Sequence, residues 1–451
     1  MSFSSAALLA KLQALPETSC YWVAYSGGLD SHVLLHAIAQ ISDQLNASLR
    51  AIHVHHGLQE EADLWLQHAE DVSQRLGVEL TSLKLNLQPA KGESIEAVAR
   101  DARYDAMRAL MGAGDVLLTA QHQNDQAETL LLQLMRGSGP SGLAAMPESA
   151  ALGEAWLVRP LLDFKRAELA VYAKLQDLKW IEDGSNHDLR FDRNYIRHQL
   201  IPLIEQRWPA SSSTIARSAR HCAEAQQLID QLAIQDHALV QVDGAERLTV
   251  IGLRELSPPR CRAVLRHWIT VNGFQLPSTI QLDRILDEVL VAADDRAPVV
   301  TWAGVEVRRF REQLFIMPPL LQHNAEVTLP WSHLSPLPLP MGGWLHLKEQ
   351  VGSGIGLDIW RQGVVDIRFR QGGERCRRQG EQLSRSLKRI FQEVLQIPPW
   401  LRDRIPLIYI DGELAAVAGF LICEPFAAPV GQPGIMLNWE MDESIADQLP
   451  K

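Results

Sequence analysis

The sequence predicts an α/β fold: a parallel Rossmann-like sheet covered by helices, then a mainly helical region, then a small α+β module. Three observations predict it. The first 135 residues alternate strand-like and helix-like segments four times. A glycine-bearing hexapeptide joins the first strand to the first of these helices. The chain has 451 residues, enough for roughly three domains of about 150 residues each.

The elements follow in order. Residues 5–10 are small and apolar, lack a cationic start and meet Lys11 early, which reads as an amphipathic helix rather than a signal peptide. The apolar run 21–25 is the first strand, and Val33, Leu34, Ala37, Ile38 and Ile41 mark a helix over 32–41. Strands over 49–54, 78–85 and 116–119 then alternate with helices over 62–76, 94–111 and 125–135. In such sheets ligands sit at the carboxyl ends of the strands. Gly137-Ser138-Gly139-Pro140 stops the last helix.

Helical patterns resume after Asp163, around 194–208 (with Arg193, Arg197, His198 and Arg207), and over 211–240, 258–271 and 280–291. Residues 299–316 suggest a hairpin. Pro330, Pro336, Pro338 and Pro340 suggest a linker. Beyond it, a strand over 364–369, a helix over 386–395 and a hairpin turning at Asp411-Gly412 form the small α+β module. The expected domains are 1–215, 216–330 and 341–451.

Composition narrows the function classes. No apolar run approaches the roughly 20 residues that span a bilayer, so no membrane role is expected. Five scattered cysteines without a Cys-x-x-Cys pair argue against a disulfide scaffold or structural zinc, and their odd number fits a reducing compartment. The net charge of −11 disfavours nucleic acid only if it is evenly spread. It is not: residues 361–404 hold eleven Arg or Lys against five Asp or Glu, and 190–220 hold six against two. Such islands suit a polyanion, although a solvated basic face is the commoner explanation. Trp400 is placed either to stack on a base or in a core.

The most informative segment is Ser26-Gly27-Gly28-Leu29-Asp30-Ser31. Two glycines let the backbone turn and approach a ligand, and the following helix start offers unpaired N–H groups and partial positive charge. Together these form a phosphate or pyrophosphate site. Ser26 and Ser31 add hydroxyls, and Asp30 is a candidate Mg²⁺ ligand. The pattern is neither a Walker loop nor a dinucleotide fingerprint.

Other motifs lie at the neighbouring strand ends. His53-Val54-His55-His56-Gly57-Leu58 reads either as a metal cluster or as a nucleotide-facing turn. Glu96, Arg100 and Arg103 share a helix face, either as a salt-bridged surface or with an arginine reaching phosphate. Asp125 and Glu128 share the first turn of a helix. They either complement its dipole or hold magnesium or an amine.

The hexapeptide resembles the PP-loop of the N-type ATP pyrophosphatases. With His53–Leu58, the segment His122-Gln123-Asn124-Asp125-Gln126-Ala127-Glu128-Thr129 and Arg136-Gly137-Ser138-Gly139, it resembles the tRNA(Ile)-lysidine synthase family. Arg159-Pro160-Leu161-Leu162, Glu182 to Asn186, Arg193 to His198, Gly372 to Arg375, Leu387-Lys388 and Pro398 to Arg404 extend the likeness over most of the chain. Two departures stand out: Asn124 occupies a position that is usually aspartate, and Gln59 one that is often arginine.

The resemblance implies a sheet of the PP-loop ATPase type and a ligase that uses ATP and Mg²⁺. It would adenylate C2 of the wobble cytidine in the CAU-anticodon isoleucine tRNA and join L-lysine there, releasing AMP and pyrophosphate. Implied nucleotide-binding residues are Ser26, Gly27, Gly28, Leu29, Asp30, Ser31 and His53. Implied catalytic residues are Asp30, Asp125, Glu128, Arg193 and Arg197, with one arginine on the α-phosphate. The implied setting is cytoplasmic, with a homodimer left open. The rivals are a tRNA thiolase, a small-molecule amide ligase such as NAD synthetase, and a non-catalytic tRNA-binding protein.

Overall fold

The computed structural model describes residues 2–55, 62–85, 95–242, 245–293, 296–331, 335–379 and 381–441, the side chains of 62, 95–97 and 185 aside. His56, Gly57, Leu58, Gln59, Ser94 and the Glu96 side chain therefore lie outside the described residues. The chain forms two compact units, residues 1–228 and 229–451.

In the first unit α1 (Ser5–Gln13) precedes β1 (Cys20–Ala24) and α2 (Leu29–Ala39). Then come β2 (Ser48–His55), α3 (Ala62–Leu76), β3 (Glu79–Lys84), α4 (Ile95–Arg108), β4 (Asp115–Leu118) and α5 (Gln123–Met135). These match the four predicted strand–helix pairs. The six-stranded sheet has the order β3-β2-β1-β4-β6-β5. Its last two strands, β5 (Ser149–Leu152) and β6 (Ala155–Val158), form a hairpin absent from the sequence reading; β6 is parallel to β4 and β5 antiparallel to β6.

β1 lies inside the sheet, paired with β2 and β4, and its side chains alternate between two cores. Tyr21 and Val23 join the cluster of Leu8, Leu12, Val33, Leu34, Ile38 and Leu169, whereas Cys20 and Trp22 join Ile52, Met107, Leu117 and Leu157. Period-two alternation with both faces buried is what a strand between two helical layers requires. The chain continues through α6 (Pro140–Leu143), α7 (Arg166–Leu175), α8 (Asp192–Tyr195), a wide π turn at Ile196–Leu200, α9 (Ile201–Arg207) and α10 (Ser211–Val240).

In the second unit, helices Pro258–Val271 and Thr279–Arg284 pack with a four-stranded antiparallel sheet around the fully buried Trp268. The predicted hairpin over 299–316 is a three-stranded meander, Val299–Trp302, Val305–Phe310 and Gln313–Met317, because Arg311 supplies a second tight turn at φ +53°. Two further antiparallel sheets share the core of Leu345, Ile367, Phe391, Leu407 and Ile435. The Asp411-Gly412 hairpin is as expected, with both residues at positive φ.

Two expectations are corrected. The proline-rich stretch is not a plain linker: Leu329–Pro330 and Leu337–Pro338 are outermost strands of two sheets, and Trp331 between them is buried. Proline lacks the N–H of an interior ladder but is tolerated on an edge. Nor are the cysteines all free: Cys376 and Cys423, 47 residues apart, form a disulfide. Sequence spacing does not reveal such a long-range neighbour.

A cluster of rings lies beside the phosphate loop. Tyr25, His32 and His68 meet at centroid distances of 5.8–6.5 Å. Burial, with help from His68, His36 and Arg75, pushes His32 down to about 4, against a carbonyl contact from Lys179 that pulls the other way. A folded pKa below the unfolded value means that the unfolded chain takes up the proton first. The contribution is intact above about pH 6.5 and is lost as pH falls toward 4. The first unit should lose on the order of 2–3 kcal/mol through this group across that window, by urea denaturation. His32→Phe should flatten the dependence; an equally steep loss in the variant would assign it elsewhere.

Candidate active site

The phosphate loop is shaped mainly by hydrogen bonds among its own six residues, with the Ile181 N–H donating to the Gly27 carbonyl at 2.9 Å. Ser31 Oγ donates to the Gly28 carbonyl at 3.0 Å and accepts from the Ser26 N–H at 3.2 Å, with Ser26 Oγ 3.0 Å away. Gly27 adopts φ +85°, a conformation that disfavours any side chain, and an added Cβ there would touch Ile181 at 3.4 Å. Gly28 caps α2 without a side-chain hydrogen bond, so the first-turn N–H groups keep their capacity for an anion. Leu29 is buried beneath the loop. His53, buried on β2, donates from Nδ1 to the Tyr25 carbonyl at 3.0 Å and so anchors the chain just before the loop. Burial holds its pKa below the ordinary value, which keeps the ring neutral.

Asp30 points from the first turn of α2. Its Oδ2 lies 3.6 Å from His122 Nε2 and 3.6 Å from Arg166 Nε. Its Oδ1 is buried and has no hydrogen-bond partner. An orphaned hard oxygen beside a phosphate site fits Mg²⁺, which takes one or two carboxylates and completes its shell with phosphates and water.

The second half of the site starts at the end of β4. His122 caps α5, with the buried Asp125 on that helix's first turn and the buried Glu128 three residues on. Arg193 on α8 and Arg197 in the π turn are one helical step apart and reach both carboxylates. Arg193 donates from Nη2 to Asp125 Oδ1 and from Nε to Glu128 Oε2, each at 2.8 Å. Arg197 donates from Nε to Glu128 Oε1 at 2.6 Å, and from Nη2 to Glu128 Oε2 at 2.9 Å and Asp125 Oδ1 at 3.0 Å. The fourth oxygen, Asp125 Oδ2, accepts the His122 N–H at 2.9 Å. Single π turns of this kind recur at functional sites.

The four charges were separately legible, but their mutual pairing was not. Burial works to raise Asp125, yet His122, Arg193, the His122 N–H and Arg197 together hold its carboxyl below the usual range. His122 was quoted within a motif without a role. Its neutral ring accepts the Asp125 N–H at Nδ1, whereas the cation turns Nδ1–H toward Asp125 Oδ2 at 3.2 Å. Burial pulls its pKa down, but Asp125, Asp30 and Glu128 outweigh this and raise it. The visible signal was its position three residues before Asp125, the spacing of a capping pair. Gln126 also escaped notice; its amide clamps Met146, donating to the carbonyl at 2.7 Å and accepting the N–H at 2.8 Å.

Other candidates fall elsewhere. Arg100 lies over the Tyr104 ring at 5.5 Å. His55 faces Asp63 at 3.3 Å, and among the described residues no three His, Cys, Asp or Glu are grouped to hold a metal ion. The distal basic island is largely committed. Arg402 and Arg404 are buried on the carbonyls of Ile397 and Leu321, and Arg361, Arg368, Arg370, Arg377, Arg378, Arg385 and Arg389 all face carboxylates. Trp400 packs edge-on against Phe310 and Phe315, its core reading.

Three family models match the chain: a PP-loop domain over residues 2–204, a TilS substrate binding domain over 248–315 and a TilS substrate C-terminal domain over 365–439. The tRNA(Ile)-lysidine synthase of Coxiella burnetii is 44% identical over 427 residues, covering 94% of each chain. That of Methylococcus capsulatus is 44% identical over 425 residues, covering 93% of this chain and 96% of its own. Among solved structures, a U34-tRNA thiolase from Methanococcus maripaludis overlaps 49% of this chain and 78% of its own, with a TM-score of 0.42 and 17% identity.

The two carboxylate positions should respond differently to truncation. Glu128→Ala leaves two guanidiniums short of acceptors and should cost about 1–3 kcal/mol in urea denaturation. Asp30→Ala removes only an orphaned oxygen and two 3.6 Å ion pairs, so its stability should stay within about 0.5 kcal/mol of the parent. Equal losses would mean that the phosphate loop depends structurally on Asp30.

Proposed function

The chain belongs to the tRNA(Ile)-lysidine synthases, ATP-dependent ligases, and from that premise we propose that its crevice adenylates the wobble cytidine of the CAU-anticodon isoleucine tRNA and joins L-lysine to it. The observation that carries this reading is His122, which links the phosphate loop to the carboxylate pair by lying within 3.6 Å of Asp30 and 3.2 Å of Asp125. One crevice thus holds a triphosphate cradle and an amine site side by side.

Each residue has a task. Ser26 to Ser31 bind the β- and γ-phosphates through backbone N–H groups and hydroxyls, and the same donors stabilise pyrophosphate as it departs. His53 holds the strand end that presents this loop. Asp30 is the ligand for Mg²⁺. Held by Asp30, the ion would supply positive charge against the phosphates. Arg193 and Arg197 are the donors for the α-phosphate, in the bidentate geometry that guanidinium provides. Asp125 and Glu128 attract the lysine ammonium, and one of them takes its proton so that the neutral amine can attack C2.

The pairing of these groups sets an order. Among the described residues all four oxygens of Asp125 and Glu128 already accept from Arg193, Arg197 or the His122 N–H. Lysine meets an open carboxylate once phosphate draws an arginine away. The tRNA is held outside this crevice by the domains at 216–330 and 341–451, and the substrate places the reaction in the cytoplasm. Among the described residues no helix is long and apolar enough to cross a membrane.

The purified protein with ATP, Mg²⁺, radiolabelled lysine and this tRNA should transfer label to RNA; unlabelled RNA would sink the reading. Asp30→Ala should abolish AMP formation while leaving tRNA affinity nearly unchanged. Equilibrium dialysis should show lysine binding at least about tenfold tighter with a non-hydrolysable ATP analogue than without it, about 1.4 kcal/mol of coupling. Equal affinity in both conditions would refute the arginine exchange.

A further inference from the structure

We infer that Arg166 is a further phosphate-binding residue of the crevice and that Asn124 is the residue that positions it. The inference rests on the ATP reading above and extends it to a side chain that no motif singled out.

Three observations meet at this point. Arg166 opens α7, and its backbone N–H donates to Asn124 Oδ1 at 3.1 Å. Its Nε lies 3.6 Å from Asp30 Oδ2, so the guanidinium stands beside the phosphate loop. The side chain is half-exposed, and among the described residues no protein acceptor lies within hydrogen-bonding distance of the guanidinium. A separation of 3.6 Å is an ion pair without a hydrogen bond, which leaves the fork of five N–H donors for a ligand.

Charge explains why the site needs this cation. Asp125 and Glu128 face Arg193 and Arg197, and both arginines are committed to these two carboxylates on α5, whereas Asp30 faces His122 and Arg166. The triphosphate tail adds several more negative charges at Asp30. Arg166 is the arginine on that side, and a planar fork suits non-bridging phosphate oxygens. It binds the β- and γ-phosphates and stays with the departing pyrophosphate.

Asn124 sets where Arg166 stands. The first N–H groups of a helix have no partner inside it, and Asn124 Oδ1 takes up the one that belongs to Arg166. Tethering that backbone to the start of α5 fixes the distance between the two helix ends that flank the crevice. The role requires an acceptor and not a charge. Asparagine meets it through Oδ1.

The test measures AMP formation with tRNA, L-lysine and Mg²⁺ in the full-length protein, alongside tRNA affinity and thermal melting. Arg166→Ala should raise the KM for ATP about tenfold or more and lower kcat, with tRNA affinity and melting temperature unmoved. Arg166→Lys should recover part of the loss, and Arg166→Gln covers the case in which the alanine variant unfolds. Asn124→Ala should shift the ATP KM in the same direction, roughly tenfold, and Asn124→Asp should restore most of it. An Arg166→Ala or Arg166→Gln protein with the parent's KM and kcat would overturn the proposal. Failure of Asn124→Asp to restore would overturn the positioning role. A parent protein that makes no AMP with this tRNA and L-lysine would instead overturn the ATP reading on which the inference rests.

Discussion

Two carboxylates buried at the end of an inner strand stay ionised only when cations are brought to them. Asp125 and Glu128 meet that constraint through Arg193 and Arg197, which arrive from an element more than sixty residues later. Isolated, either charge would be expelled or neutralised, because desolvation outweighs what helix dipoles return. The chain after β6 must therefore fold back across α5. The short helix α8 and the wide turn at Ile196–Leu200 are the means, setting two guanidiniums on one face at the height of two carboxylates. The lattice is thus a structural joint that holds two buried carboxylates against two guanidiniums.

The phosphate loop contrasts with it. Its side-chain contacts run between Ser26, Gly28 and Ser31, within six residues, and one distant tether, the Ile181 N–H donating to the Gly27 carbonyl at 2.9 Å, completes it. Preorganised donors of this kind stabilise developing charge without reorganising when the bond breaks. One half of the site is rigid and local. The other half is a lattice of two carboxylates and two guanidiniums closed on itself. His122 is the hinge between them, touching Asp30 on one side and Asp125 on the other.

That contrast explains what the sequence made legible. The hexapeptide and its place at a strand–helix junction were readable because the side-chain hydrogen bonds that shape it lie within six residues. The alternation of strands and helices was readable because both faces of the sheet are buried. Asp125, Glu128, Arg193 and Arg197 were each identified, but their pairing spans 65–72 residues and leaves no local trace. The same blindness affected charge. The run from 361 to 404 looks strongly basic when counted along the chain, yet Glu349 and Glu424, from outside the run, pair with Arg361 and Arg377, and Arg402 and Arg404 serve backbone carbonyls inside. Prolines at 330 and 338 suggested a linker because composition cannot distinguish a loop from a sheet edge.

The position of β1 carries a cost that belongs to biosynthesis. Tyr21 to Ala24 pair with Leu49 to Ile52 on one side, and Tyr21 to Val23 with Val116 to Leu118 on the other, so the strand bearing the phosphate loop is completed only after about a hundred further residues exist. At about 5–20 residues per second of synthesis, its apolar side chains wait on the order of 5–20 seconds for their second neighbour. During that interval the segment Cys20-Tyr21-Trp22-Val23 is an unpaired, hydrophobic strand edge on a ribosome-bound chain. Long-range parallel pairing of this kind is slow and leaves the nascent chain open to aggregation. The nucleotide site is therefore encoded early in the chain and assembled late.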